Sequence, residues 1–447
     1  MRQALMRPVA ADSTGAFRVL FGLLMCGGLI RYVAQGWVET VLVEPTFFFK
    51  YPGFEWVVVF EPPLLHLWFA GTAALALLMA FGIGHPFVPA AFGLAFAYIQ
   101  LMDVTNYLNH YVLVVLLSGL LAIIPSAGSV SWKTGFRADG STVPVWALYL
   151  LRFQVGCVYV HAALAKLGVD WLWHGQPMNL WMSARNELPL IGSLIGEPAV
   201  ALGMSWAGLL YDASIVPLLL WKRTRIWAYI VVVVFHGFTW LFFDIGLFPF
   251  IMTVATTLFF APDWPRKLGL RFQRHRALYP PTARAPMPVL GFATLALYGG
   301  LNVFIPLRHW VYPGDVLWTE EGMRFAWKVM VREKNGAVTY RVKEPASGRE
   351  WLVSPQHYLD WRQTQEMSGQ PDLIVQLGKH IGWDFRKRGI VGAEVRVEAL
   401  VSLNGRAPRL LIDPNRDLMT VEVGWVPADW ILPGPTDEPP TLRLVRH

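Results

Sequence analysis

The sequence predicts an α-helical polytopic membrane bundle of about nine spans, or eight, followed by a mainly β soluble domain with a helical insert. The composition is the first indication, because 54% of the 447 residues are hydrophobic and only 15% are charged, far more apolar than an ordinary soluble domain. Apolar runs long enough to cross a membrane are the second. After Pro313 these runs give way to short alternating stretches. We therefore predict a transmembrane domain, 1–311, and an extracytoplasmic domain, 312–447.

Each predicted span is an apolar run bounded by polar, proline or glycine residues. The runs cover 17–34, 64–81, 87–102, 109–124, 145–167, 200–221, 226–243, 245–261 and 289–306. A hydrocarbon core of roughly 30 Å requires a helix of about this length. Several runs are short or contain polar residues, so the expected number of spans is nine or eight.

Basic residues are concentrated in alternate loops of the transmembrane domain. With a cytoplasmic N-terminus, the inner side contains Arg2, Arg7, Lys133, Arg137, Lys222, Arg223, Arg225, Arg266, Lys267, Arg271, Arg274, Arg276 and Arg284. The outer loops before the last span hold little beyond Lys50 and Arg185. This asymmetry follows the positive-inside rule. It predicts a multi-pass protein, in the inner membrane if the source is bacterial. The net charge of +7 then reflects topology and contact with membrane lipid rather than nucleic acid.

The soluble domain has the pattern of antiparallel strands around a helical segment. Apolar alternation predicts strands at 337–342, 394–401 and 418–424, and Gly348 and Asn404 mark turns. The segment 355–388 predicts helix. The motifs of common soluble enzymes are absent from the sequence, and Cys26 and Cys157 both lie in predicted spans. No disulfide framework and no metal site are therefore expected.

Ionisable residues at membrane depth are candidates for function because burying them is costly. Lys166 ends the fifth span, and Asn109 and His110 open the fourth, which places both groups at the outer level. Arg152, Tyr159 and Lys166 recur every seven residues, so they share one face of a helix. A lysine desolvated in a bundle loses its preference for the charged form and can act as a base.

Each of these residues also has a structural interpretation. Lys166 could snorkel to the outer interface and pair with Asp170, four residues on. His236 could be a helix-packing residue that forms a hydrogen bond. Asp212 could pair with Arg18 within the bundle. Position alone does not decide between these interpretations and a catalytic site.

The order and spacing of several short stretches resemble the vitamin K-dependent gamma-glutamyl carboxylase family over nearly the whole chain. These stretches are Phe17 to Gly22, Asn109-His110, Leu151 to Gln154, Lys166 to Trp171, Trp206 to Asp212, Phe235-His236, Pro262 to Leu268, Phe325 to Met330, Ser402 to Arg406 and Ile412 to Pro414. Bacterial members of that family share its horizontally transferred transmembrane domain.

The resemblance implies a coupled reaction in which a reduced naphthoquinone, O2 and CO2 are consumed. The deprotonated quinol reacts with O2 and becomes an epoxide through a strongly basic alkoxide, which removes a γ proton from glutamate before CO2 adds. Lys166 corresponds to the base that deprotonates the quinol, and His110 to a supporting residue. We predict Asn109, Arg152, Tyr159 and His236 as quinol-binding residues. The quinol is reduced vitamin K or menaquinol, and the partner is a glutamate-containing protein or peptide.

Three departures from the family pattern leave other functions open. Ala165 replaces the first of two successive lysines found in vertebrate enzymes, Phe325 replaces the family's tyrosine two residues before Trp327, and a cysteine pair that joins the two domains is missing. One alternative is a quinol epoxidase that does not carboxylate glutamate. Another is a non-catalytic membrane scaffold or lipid-binding protein, which would explain the hydropathy without requiring Lys166, Asn109 and His110 to converge.

Overall fold

The computed structural model describes residues 1–135, 141–185, 187–189, 191–267, 285–424 and 426–442. In these ranges the longer helices of the first domain are α1 Asp12–Ala34, α2 Pro62–Phe81, α3 Phe87–Leu101, α4 Asn109–Ile123, α5 Val145–Ala165, α6 Pro198–Leu220, α7 Arg225–Phe242, α8 Phe248–Thr256 and α9 Val289–Leu307. Five arginines of the predicted inner loops lie outside the described residues: Arg137, Arg271, Arg274, Arg276 and Arg284. So does Leu268, the last residue of the stretch from Pro262 that resembles the carboxylase family.

The predicted number of nine spans is not confirmed. Among the described residues, six helices are long and apolar enough to cross a membrane: α1, α2, α5, α6, α7 and α9. A seventh span arises if α4 is joined to the helical turns after it, across a bend of 67°. Helix α3 has 15 residues and is therefore only about 22 Å long, shorter than a typical hydrocarbon core. Helix α8 is shorter still.

The first four helices pack around large apolar side chains and one buried arginine. Helices α1 and α2 approach closely at Gly22, where an added Cβ would lie 2.7 Å from the Ala76 carbonyl oxygen. The fully buried Arg18 donates hydrogen bonds to the carbonyls of Met79 and Val130, at 2.6 and 2.7 Å. Main-chain carbonyls therefore satisfy Arg18. The alternative in which it pairs with Asp212 is wrong, because Asp212 has another partner.

The second domain is built on a four-stranded antiparallel sheet of order β4-β3-β5-β6. Its strands are β3 Lys334–Lys343, β4 Glu350–Val353, β5 Glu394–Leu403 and β6 Arg409–Leu410, while β1 Pro8–Ala10 and β2 Thr142–Pro144 form a separate antiparallel pair in the first domain. Alternate residues of β5 are buried, as period-2 side-chain geometry requires. Helices α10 Trp361–Ser368 and α11 Pro371–Lys387 cover the sheet and confirm the helical insert.

The predicted strand at 418–424 is wrong. Leu418–Thr420 form a 3-10 turn, because the Asp417 carboxylate accepts hydrogen bonds from the backbone of Met419 and Val395. The side chain of Leu418 is fully buried and contacts Gly378 of α11. Here an N-terminal capping interaction overrides the alternating pattern.

The two domains share a hydrophobic core. Phe49 and Tyr51, from the loop between α1 and α2, are buried among residues of the second domain together with Val104. Gln363 of α10 donates hydrogen bonds to the Phe47 carbonyl and to the buried Asp103 carboxylate. Packing and hydrogen bonds therefore join the domains, while Cys26 and Cys157 are free and buried.

Candidate functional site

Lys166 lies at the C-terminal end of α5 and is turned into the bundle. Its Nζ donates to Asp212 Oδ2 of α6 at 2.7 Å and to the Ala162 carbonyl at 3.3 Å. The residue is only 7% exposed, and so is Asp212. The Trp171 ring packs 5.3 Å from the ammonium. The alternative that Lys166 snorkels outward and pairs with Asp170 is therefore wrong. A proton can instead pass between Lys166 and Asp212 without leaving the bundle.

Asp170 is bound by the second domain. Arg406 donates two hydrogen bonds of 2.6 Å, one to each carboxylate oxygen, and Asn404 donates a third at 2.7 Å. Burial alone would raise the pKa of Asp170, but these hydrogen bonds outweigh it and hold that pKa below its usual value. The segment that follows Lys166 is thus fixed to the second domain.

Tyr159 contacts His236 on one side and, on the other, Tyr211, which precedes Asp212 in α6. The Tyr159 hydroxyl lies 3.1 Å from His236 Nε2 and 3.3 Å from the hydroxyl of Tyr211, the residue before Asp212. Tyr159 and Lys166 therefore lie on the side of α5 that faces α6, as the seven-residue spacing predicts. His236 is a buried helix-packing residue in this arrangement, and its second nitrogen remains without a hydrogen bond among the described residues.

His110 is buried between aromatic rings at the start of α4. Its ring centroid is 4.5 Å from that of Tyr111 and 5.8 Å from that of Phe248. The ring of His236 lies 5.8 Å from the same Phe248, so the two imidazoles flank one phenylalanine. His110 Nε2 is buried and has no hydrogen-bond partner within the described ranges. An unsatisfied nitrogen in such a place is costly and requires an explanation, such as a ligand that supplies the missing partner.

Asn109 faces the second domain. Its Nδ2 donates to the Lys328 carbonyl at 3.3 Å, and its Oδ1 accepts from the Tyr107 hydroxyl at 2.9 Å. That hydroxyl in turn accepts from the backbone N–H of Phe325 at 2.5 Å. Both sequence clusters, the one at Lys166 and the one at Asn109, therefore contact the second domain.

Arg152 is not part of this site. Its guanidinium donates to the carbonyls of Leu258 and Phe260, at 2.7 and 2.8 Å. Arg152 lies fourteen residues before Lys166 on the same helix, which corresponds to about 21 Å. Its hydrogen bonds fix the chain after α8, and none of them involves Tyr159, Lys166, His110, Asn109 or His236.

Two cavities of about 500 Å³ each lie on either side of Tyr107 and Tyr111, between the bundle and the second domain. The first cavity is lined by Phe325, Arg308 and Arg324. The second is lined by aromatic and apolar residues toward α1 and by charged residues such as Arg362 and Glu366 toward the second domain, and it reaches Gly246, where an added Cβ would be 3.9 Å from His110 Nε2. A third, of about 350 Å³, passes Leu164 and Ala165. Neither Lys166 nor His110 lines these three cavities directly.

Sequence reasoning missed three residues of the site. It did not select Tyr107 or Tyr211, because a tyrosine near an apolar run carries no distinguishing pattern. It considered Asp212 but not as the partner of Lys166. The available signal was that Asp212 is an acidic residue inside an apolar run, where a charged partner is expected.

Comparison with known proteins agrees with this architecture. A model of the HTTM domain matches residues 6–264, more than half of the chain. The protein is thus a helical membrane protein of the HTTM class. A model described as the vitamin K-dependent gamma-carboxylase lumenal domain matches residues 288–437. The chain therefore belongs to the vitamin K-dependent gamma-glutamyl carboxylase family, which its sequence stretches already resembled. No solved structure matches it.

Proposed function

We propose that this protein is a quinol-dependent glutamyl carboxylase, which couples epoxidation of a naphthoquinol to addition of CO2 to glutamate. One atom of O2 enters the epoxide and the other leaves as water. The γ carbon of glutamate loses a proton and forms a bond to CO2. The observation that carries the proposal is the buried Lys166–Asp212 pair, at 2.7 Å inside the bundle, in a chain of this family.

Lys166 has the surroundings of a base. An ammonium with a single carboxylate partner in an apolar region pays a large desolvation cost, which a neutral amine with a neutral acid avoids. Asp212 can hold the proton that Lys166 releases and return it. The aromatic ring of Trp171 and the end of α5 keep the amine close to the level where the second domain begins.

The residues present suit a naphthoquinol. The unpartnered Nε2 of His110 offers a buried acceptor or donor to a quinol hydroxyl. The second cavity, beside Gly246, is lined by Phe69, Phe96 and Trp37, which fit a flat ring and an apolar chain. The quinol supplies, once oxygenated, the strong base that removes the glutamate proton. The roles of the chain are to bind and orient the ring, to exclude water and to hold a proton at Lys166.

The extracytoplasmic domain is expected to present the glutamate. The first cavity lies where this domain meets the bundle, and its wall carries Arg308 and Arg324 together with four acidic residues, Glu320, Glu321, Asp372 and Glu422. Arg324 is paired with Asp372 at 2.6 Å, whereas the guanidinium of Arg308 donates, within the described part of the chain, to the carbonyls of Ile305 and Arg324. A glutamate side chain would find a charge partner in Arg308. The acceptor protein itself is identified only by this chemistry, as an acidic peptide.

A quinol epoxidase without carboxylation is the second candidate, and Phe325 favours it. This residue lines the first cavity and carries no hydroxyl at the position of the family's tyrosine. Such a change alters recognition of the acceptor more than oxidation of the quinol, since Lys166 and His110 are retained.

The test uses purified full-length protein in detergent with reduced vitamin K, carbon-labelled bicarbonate and a glutamate-rich peptide. We expect both epoxide and peptide-bound label, and we expect Lys166→Ala to lose both. Epoxide without label would select the second candidate. Neither product, from protein that elutes as a single folded species, would reject both candidates and leave a scaffold or lipid-binding role.

A further inference from the structure

Residues 437–442 of the second domain lie against both domains of the protein. Arg406 Nε donates to the Asp437 carbonyl at 2.6 Å, and Arg409 donates to the Asp437 carboxylate at 2.7 Å. Farther along, the Pro440 carbonyl accepts a hydrogen bond from a side chain of the first domain. The segment is thus held through its main chain and through one acidic side chain.

Two amide side chains of the first domain bind the main chain of this segment. Asn179, on the short helix Met178–Ser183, binds Leu442 twice: its Oδ1 accepts from the Leu442 N–H at 2.8 Å, and its Nδ2 donates to the Leu442 carbonyl at 3.2 Å. Gln176 Nε2 donates to the Pro440 carbonyl at 2.8 Å. An amide that pairs with both main-chain groups of one residue acts as the edge of a β-strand does. It can therefore bind an extended peptide whatever side chain that residue carries.

The two amides are buried, whereas the segment that binds them is at the surface. Gln176 and Asn179 are 0% and 1% exposed, and Leu442 is 39% exposed. A buried amide that loses its partner is costly, so these side chains require a peptide in place. Pro439 and Pro440 favour an extended main chain before binding, which lowers the entropy lost on docking. The segment therefore has the features of a bound peptide, although it belongs to the same chain.

We propose that these four side chains form a docking groove for the acceptor peptide, and that residues 437–442 occupy the groove as an internal competitor. The docking groove consists of Gln176 and Asn179 from the first domain and Arg406 and Arg409 from the second. The inference rests on the proposed function, in which the acceptor is an acidic peptide.

The charges of the docking groove suit an acidic occupant at one position. The bound segment is itself acidic, because Asp437 and Glu438 are exposed carboxylates. Arg406 already binds the Asp170 carboxylate and contributes a main-chain contact. Arg409 has Asp437 as its only ion-pair partner among the described residues. An acidic side chain of a docked peptide can therefore replace that of Asp437, and the residues after it need only an extended main chain.

The docking groove shares an element with the proposed catalytic site. The Gln176 N–H donates to the Asp170 carbonyl at 2.8 Å, and Asp170 lies four residues after Lys166 along the chain. The loop that begins at Lys166 therefore forms one wall of the groove. A peptide that docks there contacts the loop that leads to the proposed base.

Binding of a fluorescein-labelled peptide to the full-length protein in detergent tests the competition. The peptide has the sequence of residues 434–442 with an amidated C-terminus, and fluorescence anisotropy measures its apparent Kd. Leu442→Pro removes the N–H that Asn179 accepts and leaves the groove unchanged. Because the internal segment then competes less, we expect the apparent Kd to fall about 3- to 10-fold relative to wild type. Leu442→Ala, the matched control, keeps the N–H and should change the Kd by less than about 2-fold.

A second substitution tests the groove itself. Asn179→Ala, added to Leu442→Pro, removes both contacts to the labelled peptide and should raise its Kd about 10-fold or more. Asn179→Asp keeps the shape but replaces the donor with an acceptor, so it serves where Asn179→Ala does not fold. The unlabelled glutamate-rich peptide of the carboxylation assay should displace the labelled peptide from Leu442→Pro.

Three results would overturn the inference. One is an equal Kd in wild type and Leu442→Pro, which would mean that the segment only fastens the domains together. Another is a Kd that Asn179→Ala and Asn179→Asp leave unchanged, which would place the peptide elsewhere. The third is a glutamate-rich peptide that does not displace the label, which would exclude the acceptor from this groove. If wild type forms neither epoxide nor carboxylated peptide, the proposed function fails, yet the anisotropy series still decides whether the groove binds peptide.

Discussion

Two buried lysines, Lys166 in the bundle and Lys334 in the second domain, have almost the same contacts, yet we expect a catalytic role for the first and a structural role for the second. They are 7% and 8% exposed. Each ammonium binds one carboxylate and one carbonyl, and each lies near a tryptophan ring, at 5.3 Å for Trp171 and 5.5 Å for Trp318. A buried lysine with a carboxylate partner is therefore not by itself a sign of function.

The difference lies in what else the carboxylate binds. Glu320, the partner of Lys334 at 3.3 Å, also accepts a hydrogen bond from Arg332 at 3.0 Å, so a permanent cation satisfies it whatever Lys334 does. The carbonyl of Trp318 accepts from Lys334 at 2.5 Å and fixes the amine. Asp212 has Lys166 as its only ion-pair partner among the described residues. Loss or gain of a proton at Lys166 therefore changes the charge balance of the whole pair. Lys334 instead belongs to a structural network of three charged groups, together with Glu320 and Arg332.

Exchanging each lysine for methionine gives the largest expected contrast. Lys166→Met should lower epoxide formation by about 10²- to 10⁴-fold, the usual contribution of a general base, and should also lower resistance to urea, because the buried Asp212 loses its ion-pair partner. Lys334→Met should keep the rate within about 3-fold but lower the free energy of unfolding by roughly 1–3 kcal/mol, as expected for losing a buried hydrogen-bonded charge. Product assays and pulse proteolysis in urea measure the two effects. Equal losses of activity in both variants would contradict the contrast.

Asp212→Asn should give the next largest effect. The amine keeps a hydrogen-bond partner but loses the group that holds its proton, so we expect epoxide formation to fall about 10- to 100-fold. Ser214→Ala, two residues on and exposed on the same helix, is the control. A rate unchanged in Asp212→Asn would show that the pair is structural, like that of Lys334.

The same comparison explains how far the sequence could predict the site. Lys166 could be selected from the sequence because it ends an apolar run, and a charged residue at membrane depth is costly enough to suggest a function. Lys334 did not, because lysine at the start of a strand is ordinarily solvated and only tertiary packing against Trp318 buries it. The helical bundle, the strands β3 and β5 and the helical insert were predicted from periodicity. The pairing of Lys166 with Asp212 required knowing which helices are neighbours, which periodicity does not contain.

A third, smaller effect concerns the hydroxyl that connects the two domains near Asn109. Burial raises the pKa of Tyr107 to about 12, so its hydroxyl remains a donor to Asn109 at neutral pH. Tyr107→Phe removes this hydrogen bond and should lower epoxide formation about 5- to 10-fold, the cost of one such bond. The Tyr107 and Phe325 rings are 5.5 Å apart, so Phe325→Tyr added to Tyr107→Phe tests whether a hydroxyl on the neighbouring ring can restore activity. Tyr312→Phe, on the wall of the same cavity, should change little.

The smallest expected effect is a dependence of the free energy of unfolding on pH that comes from Lys334. Burial lowers the pKa of Lys334 to about 8, although Glu320 opposes the shift; in the unfolded chain a lysine has a pKa near 10.4. Between these values the unfolded state binds more protons, so stability contributed through Lys334 rises as pH increases from about 8 to about 10. The free energy of unfolding of wild type, measured relative to that of Lys334→Met, should therefore increase by roughly 1–2 kcal/mol between pH 8 and 9.5. Pulse proteolysis of the full chain measures it.

Lys387→Met is the matched control for this pH series, because it removes an exposed lysine from the end of α11 and leaves Lys334 in place. Its stability should follow that of wild type across the same range. A constant difference between wild type and Lys334→Met at all pH values would mean that Lys334 stays charged in the folded state.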